Sequence, residues 1–587
     1  MLGLEFFKMN FFRFSTIPVV ILTLVPAFYD QTNFPKVIGL IICTLILLIS
    51  NPNLSHYKTA EFLLLSFLTV IYLIIQFIQP TNWLTFLMGS NGRFMGFMVL
   101  IALLYHFLFY SSLPKTDVKH VIYCLLYTYY VVVIFGLVLL LNLLPVSETD
   151  NYGKLTITLQ NPNFLSSFLG IAISVHGFLL VHKVVKLNFF QVSLFLCALI
   201  NLFAANSIQG FAILGLNFIL ISLTQFKSFL LRYRKQLIIL VFGLITILIF
   251  AIKDVLDWLI INGSVKQRLN YWSLGLSIWK SNAFFGVGLD DIQESAFYYR
   301  QEKDVIQEGF QTAIDRAHNT IIDHLIMGGT FTGVLWTIFL TVITIKAVKL
   351  LNSKGKNSET IFQNASVFIW IGYLVQTLIS VSPVTLTYLG YMAAGLIVGS
   401  KKNSKSSELA QNKNSYSLSM LSKSTALIAG IALIIPISTI SRFEIASANY
   451  VRKGEKDSIQ EIKSANLVTN RTLERVMVKA IDLGDLSEAK FFAEKLEIFD
   501  PGRSTIYYTK SIYYDSISNL NESRIEMLHA LELNPLNCYF LLGSSVIDTK
   551  IGNFDLAQSS INKVFQLCPQ MPGLPNTQKY LDDTKSR

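Results

Sequence analysis

A histidine set among arginines is the combination in this chain best suited to chemistry. Arg316-Ala317-His318-Asn319 closes a polar stretch, 253–323, in a sequence otherwise dominated by apolar runs. An imidazole titrates near neutrality, and a guanidinium presents a fork of donors matched to phosphate oxygens. Together they suit base catalysis on a phosphate-linked substrate, although a lone histidine in a polar loop is more often just solvated. Gly92-Arg93-Phe94-Met95-Gly96 puts another arginine at the mouth of an apolar run, where it either meets a phosphate, a carboxylate or water, or snorkels. Arg268-Leu269-Asn270-Tyr271-Trp272 opens what reads as an amphipathic helix, with Trp272 and Trp279 as interfacial anchors. Asn161-Pro162-Asn163 suits a helix start, and Ser207-Ile208-Gln209-Gly210 a turn between two runs. Asp290-Asp291 follow the Gly286-Val287-Gly288 turn; they could hold a divalent metal, but carboxylates placed there more often cap a helix, and we set the metal aside.

The elements that must position these residues span a membrane. The chain has 587 residues, 52% of them hydrophobic and 14% charged, with a mean hydropathy of +0.50. Apolar runs near membrane-crossing length fall at 15–29, 36–50, 60–78, 94–111, 118–143, 162–181, 189–205, 210–224, 236–252, 322–345, 362–380, 384–399 and 423–440. Several are short, so we expect 12 or 13 spans. The first follows Lys8 and Arg13 without a small-residue cleavage site, and we read it as a retained anchor. With the N-terminus inside, the cytoplasmic loops collect twenty Lys and Arg, while the short outer loops hold Lys36, Arg93 and Lys154. The net charge of +11 is thus largely topological and calls for no nucleic acid. The same division puts 253–323, and everything after Ile440, outside the cytoplasm, so every polar motif above falls on one side. The domains expected are 1–440, polytopic, and 441–587, an outer helical unit, with Gly399 to Ser422 including a Lys/Ser/Asn-rich cytoplasmic linker.

The tail repeats. Asp500-Pro501, Asn534-Pro535 and Cys568-Pro569 lie 34 apart, as do Ala489, Ser523 and Ala557. A 34-residue step with a small residue in the second helix and a closing proline is the tetratricopeptide signature, which the tail resembles over 471–569. Residues 442–470 read as a capping helix pair. Such repeats bind a protein partner or merely stabilise. Cys43, Cys124 and Cys197 lie in apolar runs as packing residues, whereas Cys538 and Cys568 either pair or stay buried thiols.

Taken together, the membrane half resembles the O-antigen ligase and polymerase superfamily, glycosyltransferases of the GT-C type, over most of residues 10–400. The resemblance rests on Arg268 with Trp272, on Phe284-Phe285-Gly286-Val287-Gly288, and on His318-Asn319 leading into a span; Arg93 with Gly96 and Asn161-Pro162-Asn163 support it. It implies an all-α fold, a GT-C-like bundle followed by the tetratricopeptide solenoid, in a bacterial cytoplasmic membrane with the polar loop and tail extracytoplasmic. It further implies that His318 activates an acceptor hydroxyl and that Arg268, Arg93 and Arg316 hold the pyrophosphate of an undecaprenyl-linked glycan. Asn161, Asn163, Gln209 and Asn319 are supporting residues. Many members have an arginine where this chain has Gln209, so one phosphate contact is absent or comes from Arg93 or Arg316. The implied enzyme needs neither cofactor nor metal. Its acceptor is lipid A-core, a glycan or a protein, since ligase, polymerase and protein O-oligosaccharyltransferase share this chemistry. A lipid-carrier or polysaccharide transporter is the rival class, but the membrane half shows no internal repeat and few ionisable residues at mid-membrane depth. A non-catalytic scaffold would leave the outer His and Arg residues unused.

Overall fold

The structure, a computed structural model, describes residues 11–50, 59–78, 83–90, 92–143, 149–150, 153–225, 263–312, 314–352, 357–400 and 414–586. Every element named below is a helix, and among the described residues the extended backbone pairs only at Thr149 with Leu155. Six helices have the length and composition to cross a membrane: Asn33–Ser50, Ala60–Ile78, Lys115–Leu140, Pro162–Val181, Thr320–Leu351 and Ser358–Ile379. Phe97–Ser111, Phe189–Ala205, Ile208–Gln225 and Val384–Gly399 are apolar but shorter. Exposed Leu63, Phe67, Val70, Ile74 and Phe77 recur at steps of three and four along one helix face, a stripe suited to lipid rather than water.

Three expectations need correction. The run 15–29 yields only the seven-residue helix Thr16–Leu22, with Thr23 already extended, so the first span is not a continuous helix of crossing length. The linker expected to reach Ser422 is helical from residue 414, because Asn414–Lys453 is one helix that absorbs its Ser- and Asn-rich end. That same helix passes through the 440/441 boundary and continues beyond the apolar run. The run 236–252 lies outside the described residues.

Lipid gives helices no hydrophobic reason to associate, so close backbone approach matters. A Cβ on Gly395 or Gly399 would meet the carbonyl oxygen of Phe107 or Ser111 at 2.6 Å, which is why Val384–Gly399 can lie directly on Phe97–Ser111. Thr320–Leu351 is broken at Gly329 (φ 73°). The carbonyls of Ile326 and Met327 next to the break accept from the N–H groups of Val287 (2.8 Å) and Gly288 (3.1 Å), while Thr330 N–H donates to Ala283 (2.8 Å). Gly286 (φ 69°) lets the turn approach, since a Cβ there would strike the backbone of residues 326–328. The Gly286-Val287-Gly288 motif is therefore a patch on a broken membrane helix.

In the tail, helices begin at Asn470, Ser504 and Cys538, and their partners at Leu486, Leu520 and Phe554, both series stepping by 34. The ends where successive hairpins connect face the membrane half. Asn470 Nδ2 donates to Thr85 Oγ1 (2.9 Å), Arg300 Nη2 donates to Asn534 Oδ1 (2.8 Å), and the Phe310 ring packs on Tyr539 at 5.0 Å. Cys538 and Cys568 are disulfide-bonded, with Cα atoms 6.6 Å apart. Arg503, 8% exposed, contacts Asp500 (2.5 Å), Glu474 (2.9 Å) and Glu294 (3.4 Å). Burial, with Asp500 nearby, lifts Asp291 to about 7 against the pull of Arg503; burial likewise raises Glu294 well above the carboxylate range. Arg503→Met leaves these buried carboxylates without their cation, a loss on the order of 3–5 kcal/mol. Hydrogen exchange across residues 291–312 of the full chain should accelerate at least tenfold; unchanged protection means the guanidinium does not hold the tail down.

Candidate functional site

His318 is a strained residue clamped on both sides. Its backbone sits in the left-handed region (φ 58°), a conformation that costs a non-glycine residue about 1 kcal/mol or more. Before it, Ala317 N–H donates to Asp323 Oδ1 (2.7 Å). After it, Asn319 caps Thr320–Leu351, its Oδ1 accepting from Ile321 (3.0 Å) and Ile322 (3.3 Å) and its Nδ2 donating to Leu378 O (3.0 Å). The imidazole lies half-buried with its ring centroid 5.3 Å from that of Tyr271, and its Nδ1 has no hydrogen-bond partner among the described residues. Burial, the positive charges of Arg93 and Arg268, and an opposing pull from Asp315 bring it to about 4.

The arginines divide into two kinds. Arg268, on the helix Gly263–Ser281, bears on the charge of His318, and its buried Nε has no hydrogen-bond partner among the described residues. Arg93 reaches Asp315 Oδ2 through both Nε and Nη2 (2.8 Å each), which leaves Nη1 out of the pair. Arg316 instead points inward. Its side chain is 5% exposed, ion-paired with Asp290, with Nη1 against Met327 Sδ at 3.2 Å, and burial pushes it down to about 10.

Asp290 caps no helix: the helix Gln293–Tyr299 begins after Ile292, without a side-chain cap. Its Oδ2 accepts from the N–H groups of Ser90 (2.5 Å) and Met95 (3.3 Å), so one carboxylate joins Arg316 to the loop carrying Arg93. The supporting residues are committed to structure. Asn161 caps Pro162–Val181, Asn163 Oδ1 accepts from Ser207 Oγ (2.6 Å), and fully buried Gln209 accepts from Ser167 Oγ (3.3 Å). Beside Arg316 a small cleft is lined by Met95, Leu100, Trp336, Tyr373 and Tyr391, with Asp323 and His324. Sequence reasoning missed Asp315, Asp323 and Tyr271, and gave Asp290 the wrong neighbours.

Residues 192–337 match the O-antigen ligase family. The chain carries an O-antigen ligase domain. The match, roughly a quarter of the chain, takes in Arg268, the Asp290 turn, Arg316 and His318, and leaves Arg93, Asn161, Asn163 and the tail outside it. No curated protein matches the chain. The O-antigen ligase domain, within a multi-pass helical membrane protein, makes glycan transfer at a membrane its general function.

The titration of His318 has a definite sign. Its folded value lies below its ordinary 6.5, so between about 4 and 6.5 the unfolded chain binds more protons than the native one. The stability from keeping the ring neutral is complete above 6.5 and is lost as pH falls through that window. Imidazole NMR on the full chain should show the His318 transition near 4; a transition at or above 6.5 means the ring is exposed and unperturbed.

Proposed function

We propose that this protein transfers a glycan from undecaprenyl pyrophosphate to an acceptor hydroxyl on the outer face of a bacterial cytoplasmic membrane, without a metal. The observation that carries the reading is a neutral, clamped imidazole beside Arg268, whose buried Nε has no hydrogen-bond partner among the described residues. The acceptor oxygen attacks the anomeric carbon as His318 takes its proton. The bond from that carbon to the pyrophosphate oxygen breaks, its electron pair leaves with the pyrophosphate, and Arg268 and the open edge of Arg93 neutralise the departing charge. Arg316 is a positioning residue, since Asp290 occupies it. Both oxygens of Asp290 are engaged by Arg316 and two amides, so we route no step through a metal there. The largely apolar and aromatic lining of the cleft beside Arg316 suits the prenyl end of the donor. The 34-residue hairpins support a tetratricopeptide reading of the tail.

Contacts between distant residues support the topology. Arg13 pairs with Asp117 and Lys346 with Glu61, joining positions assigned inside. Glu444 accepts from Asp30 N–H, and Arg452 donates to Tyr29 O, joining positions assigned outside. Phosphatase fusions after Asp304 and Ser464 should be active; cytoplasmic fluorescence of reporters placed there would refute the orientation.

His318→Ala should fold, retain donor binding and lose roughly 100-fold in transfer, the scale of a general base. Arg268→Lys keeps the charge but not the fork and should lose transfer at normal protein levels. Chelation in liposomes should leave the wild-type rate unchanged. The acid limb of kcat, measured with donor bound, should lie above that of kcat/KM, because the pyrophosphate cancels the cations that depress His318; coincident limbs would place the donor away from the arginines.

A further inference from the structure

Arg93 and His318 share a carboxylate. Asp315 stands three residues before His318, and its Oδ2 meets both Nε and Nη2 of Arg93 at 2.8 Å. The same carboxylate acts on the imidazole, opposing the two guanidinium groups that depress it. The ion pair is shallow: the Arg93 and Asp315 side chains are 19% and 26% exposed, against 5% and 0% for Arg316 and Asp290. A pair within reach of water is weak and readily exchanged, whereas a buried one is costly to part. Asp315 also lies in no helix, between Glu302–Glu308 and Thr320–Leu351. Arg93 does not depend on it for its place, because the guanidinium also sits over the Phe164 ring, 6.0 Å from its centre. On the other side, His318 Nδ1 is buried and has no hydrogen-bond partner among the described residues. A base that takes a proton on one ring nitrogen carries one on the other, and that second N–H calls for an acceptor.

We propose that Asp315 is a displaceable counter-ion, a positioning residue that holds Arg93 until a pyrophosphate takes the arginine over and that then serves His318; the inference rests on the glycan-transfer reading above. The phosphate arrives at the open Nη1 edge of Arg93. It carries more negative charge than a carboxylate, and its oxygens match the guanidinium fork, so the contest for Arg93 goes to the donor. The released carboxylate accepts from His318 Nδ1–H while Nε2 takes the acceptor's proton, the part a carboxylate plays behind the imidazole of a catalytic triad. In the empty site Asp315 therefore works against the donor, and in the loaded site it works for the base.

Titration calorimetry of the full chain in nanodiscs, with undecaprenyl pyrophosphate as the probe, reads the first effect. Asp315→Asn should bind it about 5-fold more tightly than wild type, what one partly exposed ion pair is worth in a binding constant. Asp315→Ala should do the same, and Asp315→Glu, which restores the charge, should return to the wild-type affinity. On an Arg93→Gln background Asp315→Asn should add nothing, because the contest is for that guanidinium. Imidazole NMR reads the second effect. Arg93, Arg268 and the Tyr271 ring face His318 in wild type and in Asp315→Asn alike, yet the probe should raise the His318 transition further in wild type, where a carboxylate is set free. Unchanged or weaker binding in both Asp315→Asn and Asp315→Ala, the same gain without Arg93, or equal rises in the two chains overturns the counter-ion. Wild-type chain that does not bind undecaprenyl pyrophosphate overturns the glycan-transfer reading itself, and the counter-ion with it.

Discussion

The site depends on one buried ion pair. Asp290 and Arg316 lie on opposite sides of the 291–315 segment, almost wholly out of water and paired with each other, with the Asp323 carboxylate adding to the field that keeps Arg316 charged. Breaking such a pair from one side costs about 3–5 kcal/mol, because the remaining charge is stranded. Asp290 also holds the Arg93 loop by the amides of Ser90 and Met95, and Arg316 sits two residues before His318. His318 and Arg93 come from stretches more than 200 residues apart in sequence, and this carboxylate sets them in one frame. Its own backbone is left-handed (φ 64°), directly after the turn that covers the break at Gly329, so the frame is also bolted to a membrane helix.

The tail extends that frame outward. A repeat of fixed length brings the same turn back to the same edge every 34 residues, so Arg503, Asn534 and the ends of the neighbouring helices form a row. The segment 291–310 lies along it, making charged contact at Glu294, a hydrogen bond at Arg300 and an apolar one at Val305. The charged contact and the hydrogen bond fall at the connections between successive hairpins. One edge of the tail is occupied by the 291–310 segment, and the disulfide-bonded Cys538 shares the apolar cluster that receives Val305.

Much of the helical framework was legible because apolar length is a local property. The helices from Asn33–Ser50 to Val384–Gly399 start and stop within a few residues of the apolar runs that mark them. The repeat period was legible for the same reason, as were His318, Arg268 and Arg93 as candidates. Pairing was not. Arg316 and Arg93 look alike in a string of letters, and only the fold shows that Asp290 takes up the buried Arg316 while Asp315 engages one edge of Arg93. The break at Gly329 left no mark in hydropathy, since glycine is common in membrane helices and the residues around it stay apolar. Thr16–Leu22 shows the converse: an apolar run sets no helix length by itself, and this one ends in extended chain at Thr23. Asp290-Asp291 read as a unit from adjacency, yet their side chains serve different neighbours, Asp290 the ion pair and Asp291 the charged cluster with Asp500 and Arg503.

The low affinity of His318 for a proton bears on the order of events. A base at about 4 is neutral at working pH but weak, and burial beside two guanidinium groups is what weakens it. On the proposed reading, the donor's pyrophosphate brings negative charge to those same guanidinium groups, so the imidazole becomes a better base only when a donor is present. Coupling of this kind is reciprocal: if bound pyrophosphate favours the protonated ring, the protonated ring favours bound pyrophosphate. Taking the acceptor's proton therefore adds a positive charge beside the leaving group as its own negative charge develops, and the step that activates the nucleophile also stabilises the departure.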